Sequence, residues 1–272
     1  MIQIFQAAVL GIIQGLTEFF PISSSGHLIV LPQIFGWNGV VNSLDFDIAA
    51  HLGTAAALIG FFWRDWVRLT TSFIAQTLRG FRGISSDSDA RLLILLIVGS
   101  IPAAFVGILF KDTIETAFRS ALLVGVTMVI FGLLLWWTDK VSVQERKTAQ
   151  ANLFDSIFIG VAQTISLIPG VSRSGITITA GRSQKFDRTS AVRFSFLLST
   201  PAVLGAGLLS AKDFQGGADF PIFLTGFIFA TISGILAIKL LLGFVQKHDF
   251  NIFVVYRVLF GIFLIAWAIL IK

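Results

Sequence analysis

Two short polar stretches decide the fold: PISSSG at residues 21–26 and PGVSRSG at residues 169–175. Each interrupts an otherwise apolar segment, the first at 4–30 and the second at 154–179. Proline ends a helix, and serine caps the start of the next one. Backbone that is broken at membrane depth survives only where protein or a wet cavity covers it. We therefore interpret each segment as a re-entrant pair of helices.

The rest of the chain is built from apolar stretches of membrane-spanning length. The sequence is 55% apolar and only 13% charged, with a mean hydropathy of +0.87. An ordinary soluble domain has a charged fraction of about 25%. Six stretches are near the ~20 residues that a span requires: 44–63, 92–110, 121–138, 194–211, 220–238 and 250–271. The sequence predicts an all-α polytopic membrane protein.

An internal repeat relates the two broken segments at an offset of 149 residues. The offset places identical residues together: Gly11 with Gly160, Gln14 with Gln163, Ser23 with Ser172, Ser25 with Ser174, and Gly26 with Gly175. We predict one membrane domain over residues 1–272, with repeats at about 1–140 and 152–272. Each repeat has one re-entrant hairpin and three transmembrane helices, and an odd number of spans inverts the second repeat relative to the first.

The charge pattern supports this topology. The net charge is +5 and the pI about 9.9, but the basic residues lie between apolar runs, so we expect no nucleic-acid partner. With the N-terminus outside, 14 of the 20 lysines and arginines fall in inner loops and four outside, at Lys111, Arg119, Lys212 and Lys272. The first apolar run carries Glu18 and no leading cation, so it is not expected to be a signal peptide. The absence of cysteine excludes thiol chemistry.

Positions that differ between the repeats mark specialisation. Three differences lie at the broken segments: Glu18 against Leu167, Ser24 against Arg173, and His27 against Ile176. A carboxylate, a hydroxyl, an imidazole and a guanidinium therefore converge beside helix N-termini. Helix N-termini and arginine bind phosphate oxygens, a serine can attack phosphorus, and a histidine can move protons. Glu18 and Gln14, one helical turn apart, can hold a divalent cation through oxygen ligands.

Three motifs resemble those of a known family: QGLTE at 14–18, SSSGH at 23–27 and PGVSRSGIT at 169–177. They closely resemble the bacitracin-resistance (UppP/BacA) type of undecaprenyl-diphosphate phosphatase, and the resemblance covers essentially the whole chain. It implies hydrolysis of undecaprenyl diphosphate to undecaprenyl phosphate and inorganic phosphate, which recycles the lipid carrier for cell-wall synthesis and confers bacitracin resistance. It also implies a divalent cation, Mg²⁺ or Ca²⁺, and a multi-pass protein of the bacterial plasma (inner) membrane with its active site opening to the outer, periplasmic side.

The resemblance also implies roles for individual residues. Ser24 corresponds to the nucleophile, His27 to a general acid/base, Glu18 to a metal or proton-handling carboxylate, and Arg173 to the phosphate clamp. The expected substrate-binding residues are Gln14, Ser23, Ser25, Gly26, Ser172, Ser174 and Thr177. Gln14 departs from the pattern of many members, which carry glutamate there, so the expected metal site has one negative charge fewer.

Structural alternatives exist for several of these residues. The four flanking serines, Ser23, Ser25, Ser172 and Ser174, fit helix capping at least as well as chemistry, since both repeats keep them. His27 alone would suit a structural hydrogen bond, and Glu18 could simply neutralise Arg173.

Two further features of the apolar segments stay open. Asp47 and His51, one turn apart in the first span, fit either a pair facing a cavity or buried hydrogen-bond partners. Arg257 either reaches the site or pairs with a carboxylate such as Asp47.

The main rival function is transport. Inverted repeats with broken helices also bind anions in secondary transporters, so a polyprenyl-phosphate flippase could use the same cradle without a nucleophile. A hydroxyl beside an imidazole and a carboxylate favours the enzyme. The expected partners are a polyprenyl diphosphate lipid and the membrane lipids, and a homodimer is one option for the oligomeric state.

Overall fold

The computed structural model describes residues 1–82, 84, 86–110, 120–210 and 219–270. These residues form ten α-helices, as the predicted all-α class requires: α1 (Ile2–Phe19), α2 (Ser24–Phe35), α3 (Leu44–Leu78), α4 (Ser88–Leu109), α5 (Ala121–Val141), α6 (Leu153–Ile165), α7 (Arg173–Ser183), α8 (Arg188–Ser210), α9 (Phe220–Phe244) and α10 (Asn251–Leu270). Two short 3-10 helices, Val40–Asn42 and Thr148–Gln150, lie in the connections.

Six helices in the described part of the chain are long and apolar enough to cross a membrane: α1, α3, α4, α5, α9 and α10. The chain is thus a multi-pass membrane protein, as predicted. Five predicted spans coincide with five of these helices, and the sixth helix, α1, belongs to the first predicted re-entrant pair. The four basic residues assigned to outer loops, Lys111, Arg119, Lys212 and Lys272, lie outside the described residues.

The predicted span at 194–211 falls largely within α8. The side chains beyond residue 205 lie outside the described residues, so this span stays a prediction. α8 packs against α3, α4 and α7. Ser195, Ser199 and Thr200 are buried there, and the Ser199 hydroxyl donates to the Ser195 carbonyl at 2.7 Å. Because protein covers α8 on several sides, such polar side chains find hydrogen-bond partners within the protein.

Helix α3 is longer than the predicted span at 44–63. It continues through a kink at Phe62 to Leu78, so the expectation that Arg64 and Arg68 lie in a loop is wrong. The Arg68 guanidinium lies 2.9 Å from Asp89 on α4, an ion pair that joins the extension of α3 to its neighbour. Charged residues beyond a membrane core do not end a helix when the sequence lacks proline and glycine.

The two predicted breaks differ in length but share one unusual backbone feature. The first break, residues 20–23, separates α1 from α2, and the second break, residues 166–172, separates α6 from α7. Ser23 and Ser172 are the residues before the second helix of each pair, and both have φ of 71°. A positive φ is unusual for serine and persists only where surrounding contacts hold it.

Glycine contacts hold the broken segments against distant helices. A Cβ on Gly11 of α1 would lie 2.6 Å from the Gly226 carbonyl oxygen of α9. A Cβ on Gly160 of α6 would lie 2.2 Å from the Gly99 carbonyl oxygen of α4. Neither backbone approach leaves room for a side chain. These contacts seat α1 and α6 so that the start of α2 and the start of α7 meet.

Candidate active site

Glu18 is the centre of the cluster where the two breaks meet. Its side chain lies near the end of α1 and is only 6% exposed. One carboxylate oxygen, Oε1, pairs with Arg173 Nη2 of the second break, and the other, Oε2, accepts a hydrogen bond from the Ser24 hydroxyl. The Gln14 amide donates to Oε2 from one turn earlier, at 3.1 Å. The carboxylate thus joins a serine and a guanidinium that are 149 residues apart.

Arg173 keeps one donor free for a ligand. Its Nη1 atom is buried and has no hydrogen-bond partner, while Nη2 is held by Glu18. An unsatisfied buried guanidinium nitrogen is costly and calls for an explanation. Arginine binds phosphate through two adjacent N–H groups, so an incoming phosphate oxygen would satisfy Nη1.

The flanking serines bond to each other or to backbone. Ser23 Oγ lies 3.3 Å from Ser25 Oγ, and the equivalent pair, Ser172 and Ser174, lies 3.2 Å apart. Ser24 alone among the three serines at 23–25 has its hydroxyl on Glu18. The structure therefore separates Ser24 from its neighbours in the way that the comparison of repeats anticipates.

Two other predicted substrate-binding residues make structural contacts. The buried Thr177 hydroxyl donates to the Arg173 carbonyl at 2.8 Å and lies 2.6 Å from Ser195 Oγ. Gly26 faces α5, where an added Cβ would lie 2.9 Å from Val124 Cγ1. Thr177 and Gly26 thus pack against neighbouring helices, and their role in substrate binding stays a prediction.

His27 is not in hydrogen-bond contact with Ser24 or Glu18. Its Nδ1 atom bonds to the Ser23 carbonyl at 2.6 Å, and its Nε2 atom bonds to the Tyr256 hydroxyl on α10 at 2.6 Å. The general acid/base role predicted for His27 has no support from these contacts.

His51 is the histidine that approaches the carboxylate. Its Nδ1 atom bonds to the Asp47 carbonyl at 2.7 Å, and its Nε2 atom lies 3.8 Å from Glu18 Oε2. Its side chain is 36% exposed, so it lies at the solvent-facing edge of the cluster. The one-turn spacing of Asp47 and His51 in an apolar span indicates that the two residues share a face of the helix. It does not indicate that this face would lie next to Glu18.

Arg257 binds both breaks at once. It is fully buried, and its guanidinium donates to the Pro21 carbonyl in the first break at 3.1 Å and to the Gly170 and Val171 carbonyls in the second at 3.0 and 2.9 Å. Its Nε atom donates to the Met128 carbonyl of α5 at 3.1 Å. The suggested pairing with Asp47 is replaced by this set of carbonyls. The sequence shows an arginine inside an apolar span, which indicates a special role. It cannot show that the partners of this arginine are backbone carbonyls.

Oxygen atoms suited to a divalent cation lie beside Glu18. Gln14 Oε1 is buried without a hydrogen-bond partner, and the Glu18 carboxylate lies next to it. Mg²⁺ and Ca²⁺ prefer such oxygen ligands. No group of three or more histidine, cysteine or carboxylate side chains with metal-site geometry occurs among the described residues, so a bound cation would depend on ligands from a substrate.

The fold and this cluster define a class: a polytopic helical membrane protein in which a carboxylate, a hydroxyl and a guanidinium come together where two helix breaks meet. Comparison with known proteins gives the family. The profile described as "Bacitracin resistance protein BacA" matches residues 7–263. A protein of Thermodesulfovibrio yellowstonii named undecaprenyl-diphosphatase is 47% identical over 94% of each chain. Proteins of Moorella thermoacetica and Desulforudis audaxviator with the same name are 43% and 42% identical over 97% and 98% of each chain. The chain belongs to the BacA family.

Proposed function

We propose that this protein hydrolyses undecaprenyl diphosphate to undecaprenyl phosphate and inorganic phosphate, and so recycles the lipid carrier for cell-wall synthesis and confers bacitracin resistance. The observation that carries the proposal is the shared carboxylate of Glu18, which holds the Ser24 hydroxyl and the Arg173 guanidinium side by side. A hydroxyl that could attack phosphorus and a guanidinium that could bind phosphate thus share one carboxylate, which supports the proposal in a chain whose relatives carry the name of this activity.

The proposed reaction uses these three residues in sequence. The terminal phosphate of the lipid binds to Arg173, which has a free buried nitrogen for it. Ser24 Oγ then attacks the terminal phosphorus, the bond from phosphorus to the bridging oxygen breaks, and undecaprenyl phosphate leaves. The Ser24 proton passes to the carboxylate of Glu18, which already accepts it in a hydrogen bond. Water then attacks the phosphorus of the phosphoserine and the bond from phosphorus to Ser24 Oγ breaks; Glu18 returns its proton to Ser24 Oγ, the two protons of the water leave with inorganic phosphate, and the site is restored.

A divalent cation, Mg²⁺ or Ca²⁺, fits beside this arrangement. Glu18 and the free Gln14 Oε1 atom are the residues that would hold it together with the diphosphate. When bound, such a cation neutralises the negative charge that otherwise repels an attacking oxygen. Because Gln14 is neutral, the protein itself contributes a single carboxylate, and the diphosphate supplies the remaining charge.

The proposal also includes the arrangement of the chain in the membrane. The two breaks form re-entrant hairpins in inverted repeats, at about 1–140 and 152–272, and the site opens to the outer face of the bacterial plasma membrane. The shared φ of Ser23 and Ser172 supports the repeat, as does the reciprocal packing of each broken segment on a span of the other half, Gly11 on Gly226 and Gly160 on Gly99. The excess of basic residues at 14 inner positions supports the orientation.

Phosphate release from undecaprenyl diphosphate by the purified protein tests the function. We expect turnover in Mg²⁺ or Ca²⁺ and none after chelation. Ser24→Ala should lose at least about a thousandfold in kcat, as other hydroxyl nucleophiles do. Ser23→Ala and Ser25→Ala are the matched controls and should keep most of the rate, because their hydroxyls bond to each other.

Two results would count against the proposal. If Ser24→Ala keeps a tenth or more of the wild-type kcat in correctly inserted protein, another group or a metal-bound water makes the attack. If the wild-type protein releases no phosphate but moves a polyprenyl phosphate across vesicle membranes, the site serves transport. A transporter would need Arg173 to bind the phosphate but would not need the hydrogen bond between Ser24 and Glu18.

A further inference from the structure

His27 is enclosed on every side that the structure describes. It is 3% exposed, and both of its ring nitrogens are bonded, Nδ1 to the Ser23 carbonyl and Nε2 to the Tyr256 hydroxyl, each at 2.6 Å. Its ring also stacks on Phe260 with a centroid distance of 4.9 Å and on Tyr256 at 5.7 Å. A side chain with both nitrogens engaged and its ring packed against two aromatic rings is held in one orientation.

The partners determine where the proton sits. A carbonyl oxygen only accepts hydrogen bonds, so Nδ1 carries the hydrogen, and Nε2 of the neutral ring accepts from the Tyr256 hydroxyl. The neutral ring suits an apolar, stacked environment. A general acid/base needs a nitrogen within reach of the proton that it moves. The Ser24 hydroxyl donates instead to Glu18.

Comparison of the two breaks indicates what His27 does there. In the second break the Ser172 hydroxyl caps α7 by accepting from the Gly175 amide at 3.1 Å, and the Ser172 carbonyl accepts from the Ile176 amide at 2.9 Å. In the first break Ser23 has the same φ of 71° but makes no side-chain cap hydrogen bond. The Ser23 carbonyl is held by the His27 ring. An imidazole stands at the position where the second repeat has Ile176.

We propose that His27 is a positioning residue: supported by Tyr256, it holds the Ser23 carbonyl, as the Ile176 amide holds the Ser172 carbonyl in the second break, and it thereby keeps Ser23 in its strained conformation and aims the Ser24 hydroxyl at Glu18. The proposal rests on the proposed function of Ser24 as nucleophile. Tyr256 acts from α10, the helix that also carries Arg257, so one helix supports the first break at two points.

Substitutions that keep or remove single hydrogen bonds test this role. Asparagine places an amide nitrogen where His27 has Nδ1, so His27→Asn keeps the bond to Ser23, loses the bond to Tyr256 and cannot take part in acid/base catalysis. Tyr256→Phe removes only the second bond. His27→Ala removes both. His248→Asn is the matched control, because His248 also bonds to the carbonyl four residues earlier but is exposed.

The expected result is a graded loss in kcat at nearly constant KM. His27→Asn and Tyr256→Phe should each lose about tenfold or less, the worth of one hydrogen bond, and His27→Ala about a hundredfold, the effect of a misplaced nucleophile. The pH profile of kcat in His27→Asn should keep both limbs of the wild-type profile. His248→Asn should behave as wild type.

Two outcomes would overturn the proposal while leaving the phosphatase activity of the wild type in place. If His27→Asn is as inactive as His27→Ala, with a loss of about 10²–10⁴ and one limb of the pH profile missing, His27 is an acid/base catalyst. If His27→Ala keeps the wild-type kcat and only its thermal stability falls, the imidazole is purely structural. An inactive wild-type protein would instead contradict the proposed function.

Discussion

Replacement of Arg257 by methionine should destabilise the protein and disorder the two breaks together. Methionine has a similar length but no donors, so the carbonyls of Pro21, Gly170 and Val171 lose the partner that the guanidinium provides. A buried carbonyl left unsatisfied costs about 1–3 kcal/mol, which gives about 3–9 kcal/mol for three. Removing a guanidinium from a buried site returns several kcal/mol of desolvation.

The difference between these two terms leaves an expected net loss of about 3–5 kcal/mol. At about 2–4 °C per kcal/mol for a large domain, the unfolding temperature should fall by about 10 °C. Arg257→Lys should recover only part of this, because one ammonium group cannot span carbonyls on two breaks as the planar guanidinium does.

Thermal unfolding in detergent, followed by the fluorescence of the six tryptophans, measures the effect. Arg64→Met is the control, since Arg64 is exposed and its substitution should change stability by less than about 0.5 kcal/mol. Phosphate release is then measured below the unfolding temperature of each variant. If Arg257→Met unfolds at the wild-type temperature and keeps the wild-type kcat, the carbonyl contacts do not hold the breaks together and this reasoning fails.

Two more predictions concern carboxylates. Glu18→Gln should remain folded and inserted but lose phosphate release, because it removes the charge that holds Arg173 and the acceptor for the proton of the nucleophile; wild-type rates would remove Glu18 from the site. Asp87 caps α4 by accepting from the Ala90 amide and also binds Ser72 and Gln76, and these bonds lower its pKa from 3.8 to about 2. A carboxylate whose pKa is lower in the folded than in the unfolded protein stabilises the fold at pH values above its unfolded pKa, and this contribution is lost as the carboxylate is protonated. The difference in melting temperature between wild type and Asp87→Ala should therefore narrow as pH falls from about 4 to 2. A constant difference would contradict the capping role of Asp87.

Hydropathy predicts which stretches form long apolar helices, but not where a helix ends beyond the membrane. The stretches at 92–110 and 121–138 lie within four residues of the ends of α4 and α5. The stretch at 194–211 likewise falls largely on α8. Helix α3 instead continues past the predicted end at 63 to Leu78, because no proline or glycine lies between that end and Gly80, whose φ of 64° leaves the helical range.

The candidate site shows a similar division. Comparison of the repeats singled out Glu18, Ser24, His27 and Arg173, because a duplicated fold exposes the positions at which the two copies diverged. It did not show that His27 bonds to Tyr256, and it left the role of Arg257 open, since Tyr256 and Pro21 lie 229 and 236 residues away from the side chains that they contact. A tyrosine hydroxyl or a backbone carbonyl carries no compositional signal, and only the fold brings such groups to the side chain that they bind.

The contact between Arg257 and Pro21 has a consequence for biosynthesis. A ribosome delivers Glu18 and Ser24 to the membrane among the first residues and Arg173 midway, but the guanidinium that fixes both breaks arrives 236 positions after Pro21. A nascent chain that stalls before α10 therefore contains the reactive side chains without the tether that aligns them. The full set of contacts that holds the two breaks together therefore forms only once α10 has been made.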